Sequence, residues 1–121
     1  MNIPPVTWIL VALLALAVLV IARSPSSASA GGSADTMRAL VREQGALLLD
    51  VRSTAEFGGG HMDGAVNLPV DQVSRIASVE PDHERPIVVY CRSGARSARA
   101  AQVLRQSGYS NVHDLGPMQR W

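Results

Sequence analysis

Residues 87–98 read IVVYCRSGARSA, and this stretch decides the fold. Ile87–Tyr90 is β-branched and aromatic, bracketed by Pro86 and a glycine-bearing loop, which is the composition of a buried strand. From Ala95 the pattern ARSARAAQVLRQ is alanine-rich, with apolar residues three and four apart and Gly108 beyond its end, which predicts a helix. A strand, a tight basic loop and a helix thus follow one another, with the chain's single cysteine, Cys91, at the joint.

Working outward, the same alternation repeats. Met37, Leu40 and Val41 recur at helical spacing and Gly45 supplies a stop; LLLDV then predicts a short buried strand. Ser53 followed by Glu56 three residues on is a capping box, so a short helical turn is expected to run to Gly58-Gly59-Gly60. AVNLP predicts another strand, ended by Pro69, and VDQVSRIASV a helix with Val70, Val73, Ile76 and Ala77 on one face. NVHDL closes the series as the last strand. Strands alternating with helices predict an α/β fold whose mostly parallel sheet is covered on both faces, with ligands beyond the carboxyl ends of the strands. Cys91 falls at such an end.

The amino-terminal part has a different character. Val6–Ala22, VTWILVALLALAVLVIA, carries no charge, and its length is near the lower limit for spanning a hydrocarbon core of about 30 Å. Residues 1–23 therefore predict one transmembrane helix acting as a signal anchor, 24–34 (SPSSASAGGSA) a flexible linker, and 35–121 the folded domain. Arg23 lies on the domain side, which favours a single-pass protein with its domain at the cytoplasmic membrane surface. The alternative is cleavage near Ala30, after Ala28-Ser29, leaving a periplasmic or secreted domain. A net charge of +1 and 4% aromatic residues give no support for nucleic-acid binding. Every one of the 11 cationic residues is arginine, which weakens any single arginine as a sign of anion binding.

One cysteine makes no internal disulfide, so the thiol is free. A free cysteine ending a core strand is commonly inert packing. The loop favours chemistry instead: unpaired N–H groups and the helix dipole stabilise an anion there, and Arg92, Arg96 and Arg99 add charge, with no acidic residue between Glu84 and Asp114. Ser93, Gly94, Ala95 and Ser97 are small enough for the backbone to curl round a sulfur. A cysteine phosphatase would need arginine six positions after the cysteine; that position is Ser97, and Arg96 comes one residue early. No ligand spacing joins His61, His83 or His113 to Cys91, so no metal is expected.

LLLDVRSTAEFGGGHMDGAVNLP, IVVYCRSGARSA and SGYSNVHDLGPMQRW, in that order, resemble the rhodanese-homology family of single-domain sulfurtransferases over nearly all of residues 35–121. The resemblance implies a five-stranded, mostly parallel sheet with helices on both faces. It implies that Cys91 takes a sulfane sulfur from an anionic donor such as thiosulfate and passes the persulfide sulfur to cyanide or a cellular thiol, with a protein thiol as a possible partner and no cofactor. Arg92, Ser93, Gly94, Ala95, Arg96 and Ser97 would form the substrate-binding loop, the two arginines attracting the donor. Asp50 and Arg52 match the family's D-V-R, and are read as a loop-fixing pair; His61 matches its G-H, and is read as a structural histidine. Gly116-Pro117 stands where the family has Gly-Gly, a departure expected not to touch the active loop.

Overall fold

The computed structural model describes residues 32–121. Helix α1, Ala34–Gln44, starts where the Ser33 hydroxyl accepts the Thr36 N–H at 3.3 Å, and it buries Met37 and Leu40. Strand β1 is Leu47–Asp50, α2 is Thr54–Gly58, β2 is Val66–Asn67, β3 is Ile87–Cys91, α3 is Ala95–Gln106 and β4 is Val112–Pro117. The strands form one parallel sheet in the order β2-β1-β3-β4.

Period-two alternation divides the core between the two faces. Leu47, Leu49, Ile87, Val89 and Cys91 join Ala100, Ala101 and Leu104 of α3; Leu48, Val88 and Tyr90 join Met37 and Leu40 of α1. Because both faces are covered, β1 and β3 are buried along their whole lengths and show no polar alternation.

Three expectations change. The sheet has four strands among the described residues, not five. VDQVSRIAS forms a 3₁₀ helix, Val70–Ser78, rather than an α-helix. Pro69 accepts from the Gln72 N–H at 2.7 Å, and three residues per turn put Val70, Val73 and Ile76 in line while turning Ala77 to solvent. The membrane location is also overturned. Among the described residues no helix is long and apolar enough to cross a bilayer; α3, the longest, has 12 residues, about 18 Å against a core of about 30 Å. The run Val6–Ala22, on which the transmembrane helix rested, lies outside the described residues.

Candidate active site

The site is built where β3 gives way to α3. Cys91 is wholly buried at the strand end, and Gly94, at φ 104°, is the residue before the first turn of α3. That left-handed geometry turns the Gly94 N–H back onto the sulfur, 2.9 Å from Cys91 Sγ. The Cys91 thiol lies 3.5 Å from Ser97 Oγ, and the Ser97 hydroxyl donates to the Gly94 carbonyl at 3.0 Å. The Ser97 hydroxyl is thus within reach of both the carbonyl and the sulfur, and is placed to donate to the sulfur when it is ionised.

Burial alone would push the Cys91 thiol upward. The Ser97 hydroxyl and the N–H groups of Ser97, Gly94 and Ser93 outweigh it, and the thiol lies below its ordinary value. The expected thiolate is therefore favoured, but by neutral dipoles at short range and not chiefly by guanidinium charge. The sulfur also lies beneath its loop, 0% exposed. The small residues that let the backbone approach also close it over.

Two of the three arginines are occupied. Arg96 clamps Glu56 through both guanidinium nitrogens, at 2.7 and 3.0 Å. That pairing is the largest influence and, joined by the Ser53 hydrogen bonds, it outweighs burial and holds the Glu56 carboxyl down to about 2. Glu56 is thus the capping partner of Ser53, as expected, and also the anchor of α3's first turn. Arg99 faces Asp71 at 3.7 Å on the surface. The acidic partners come from α2 and the 3₁₀ helix, which local sequence around the loop does not reveal. Arg92 has no carboxylate partner among the described residues. It lines a cleft of about 510 Å³ with Arg52, Glu56, Gly59, Gly60, Met118 and Gln119. Ser93 and Ala95 are exposed on the loop.

Asp50 and Arg52 form a buried pair at the end of β1, with Arg52 Nε 3.1 and 3.0 Å and Nη2 2.8 Å from the carboxylate. Arg52 Nη2 donates on to the Gly60 carbonyl at 2.7 Å, and the Tyr90 hydroxyl donates to Asp50 at 2.7 Å while accepting the Met62 N–H at 3.1 Å. Burial, then the Asp50 hydrogen bond, pushes Tyr90 up to about 12. This network ties Gly60, which lines the cleft, and Met62 to the ends of β1 and β3. Tyr90 escaped the sequence reading as a site residue; its place beside Cys91 in an alternating strand puts it on the opposite face. His61 is exposed, bonded through Nδ1 to the Phe57 carbonyl at 2.9 Å and stacked on the Phe57 ring. It steadies the end of α2. Among the described residues no group of three or more His, Cys, Asp or Glu is arranged to hold a metal.

The Gly116-Pro117 departure does touch the loop. The β3–β4 register shifts after Val89, so that Cys91 pairs with Pro117, and a Cβ placed on Gly94 would lie 3.4 Å from Pro117 Cδ.

The rhodanese-like domain family model matches residues 33–121. An uncharacterized Bacillus subtilis protein, YqhL, is 40% identical over 77 residues, covering 63% of this chain and 60% of that one. The thiosulfate sulfurtransferase PspE of Escherichia coli is 36% identical over 69 residues, 56% of this chain and 66% of its own. The aligned part thus spans less than two thirds of either relative. The human single-domain sulfurtransferase TSTD1 superposes with a TM-score of 0.68 at 27% identity, over 77% of this chain and 95% of that one.

Proposed function

The chain belongs to the rhodanese-like domain family, and on that premise we propose that it is a sulfurtransferase in which Cys91 carries the sulfur. The observation that carries the reading is an enclosed sulfur, with Gly94 N–H at 2.9 Å, whose titration is nonetheless driven toward thiolate. Such a thiolate attacks the outer sulfur of thiosulfate; the sulfur–sulfur bond of the donor breaks, sulfite leaves with its electron pair, and a cysteine persulfide remains. Cyanide or a thiolate then attacks the persulfide's outer sulfur and the Cys91 thiolate departs. Charge balances in both steps, and no external oxidant is required. The loop N–H groups that hold the first thiolate are suited to hold the persulfide anion as well.

Arg92 supplies the charge that recruits the donor, since Arg96 and Arg52 are already matched by Glu56 and Asp50. Ser97 argues against phosphatase chemistry, because its buried hydroxyl stands at the position where a phosphate-binding guanidinium would be needed. Intact-mass measurement after thiosulfate treatment tests the proposal. A gain of one sulfur atom that is lost on adding cyanide, and is absent in Cys91→Ser, is expected; no gain overturns it.

A second reading, transfer to or from a thiol on a protein, is favoured by the cleft beside Arg92. Its volume of about 510 Å³ far exceeds what a thiosulfate ion fills. Thiosulfate turnover well below about 10⁴ M⁻¹s⁻¹ in kcat/KM would favour this reading over the first.

A further inference from the structure

We propose that Pro117 is a positioning residue for the sulfur-transfer site: its ring is the floor that holds the Gly94 peptide against the Cys91 sulfur. The proposal rests on the sulfurtransferase reading above. Gly94 is the hinge of the loop, with φ 104° and ψ −20°. Its N–H bonds Cys91 Sγ at 2.9 Å, and its carbonyl accepts from the Ser97 hydroxyl at 3.0 Å and the Ala98 N–H at 3.1 Å. The two peptides that flank one glycine therefore bond the sulfur and the hydroxyl that answers it. A Cβ built on Gly94 would lie 3.4 Å from Pro117 Cδ, 3.7 Å from Pro117 Cγ and 3.9 Å from Gly116 Cα, so these atoms close that side of the hinge. The floor is the pyrrolidine ring and the glycine before it.

That floor is itself fixed. Gly116, at φ 79°, donates its N–H to Asp114 Oδ1 at 2.9 Å, which secures the register shift that brings Pro117 opposite Cys91. The ring then locks the Pro117 backbone, found at φ −64°. A glycine at 117 would remove both the ring atoms under Gly94 and the constraint on the strand end. The Gly94 peptide would gain room to tilt away from the sulfur. The charged groups on the elements packed around the loop are Asp50 on β1 and Arg52 after it, Glu56 of α2, Arg92 and Arg96 of the loop and α3, Asp114 of β4, and Arg120 after β4. A substitution at 117 changes none of them, so a shift in the sulfur's titration would report the Gly94 peptide.

The test is a titration of thiolate ultraviolet absorbance in the full chain, where the single cysteine makes the signal unambiguous and Cys91→Ser is the blank. Pro117→Gly is expected to raise the thiol pKa by about half a unit to one unit, lowering the thiolate fraction at acidic pH by roughly three- to tenfold. Pro117→Ala, which keeps a Cβ but loses the contacting Cδ and Cγ, should shift it less. Pro81→Ala, an exposed position in the turn leading into the opposite end of β3, should leave it unchanged. It matches the loss of unfolded-chain restraint without touching the loop. An unchanged titration in folded Pro117→Gly overturns the proposal; if that variant does not fold, an unchanged titration in Pro117→Ala does so. Failure of the sulfurtransferase reading would show separately, as no sulfur gained by the unaltered protein.

Discussion

Replacing Ser97 by alanine isolates the largest favourable contribution to the thiolate. Ser97 is wholly buried, and its hydroxyl is placed 3.5 Å from Cys91 Sγ and 3.0 Å from the Gly94 carbonyl. A hydrogen bond to a charged group contributes about 1.5–3 kcal/mol, and one pKa unit corresponds to about 1.4 kcal/mol. The thiol pKa of Ser97→Ala should therefore rise by about one to two units, because the N–H groups of Ser97, Gly94 and Ser93 remain. Sulfur transfer at neutral pH should fall about ten- to a hundredfold and recover as the pH is raised. The linkage to stability runs the same way: a thiol depressed by folding adds stability fully present above the unfolded value near 8.5 and lost as pH falls through the folded value. Urea unfolding at several pH values should show the unaltered protein gaining stability toward about pH 8.5 and Ser97→Ala gaining less. A thiol titration that does not move in Ser97→Ala would refute the dipole account of ionisation.

Three further substitutions separate the loop's arginines and test the buried network. Arg92→Ala should raise KM for thiosulfate severalfold with kcat little changed, whereas Arg96→Ala, by releasing Glu56, should lower kcat and loosen the start of α3; steady-state kinetics and amide hydrogen exchange distinguish them. Equal effects on KM would contradict this division of roles. Tyr90→Phe leaves the buried Met62 N–H without its acceptor and removes a donor from Asp50, and should cost about 1–3 kcal/mol in chemical denaturation.

The strand–loop–helix unit around Cys91 was legible because its signals are local: a β-branched run, small residues and an alanine-rich period. The caps were legible for the same reason, Ser53 and Glu56 lying within one turn of each other. The helix at Val70–Ser78 is legible as a helix but its 3₁₀ form is not, since apolar positions at 70, 73 and 76 fit a period of three as well as 3.6, and only Ala77, expected on that face and found exposed, distinguishes them. The site's electrostatics were the least legible part. An arginine-rich loop with no acid nearby in sequence reads as strongly positive, yet folding brings Glu56 onto Arg96 from 40 residues away. Likewise Pro117 reaches Gly94 only through a register shift that no local pattern announces.

A sulfur seated below its own loop sorts its reagents by width before affinity has any say. Slender electrophiles that slip between the loop amides can meet it, while bulky disulfides and broad alkylating reagents are halted at the rim. Cargo loaded there would be kept from casual discharge to passing thiols, so a charged protein could wait for its proper recipient.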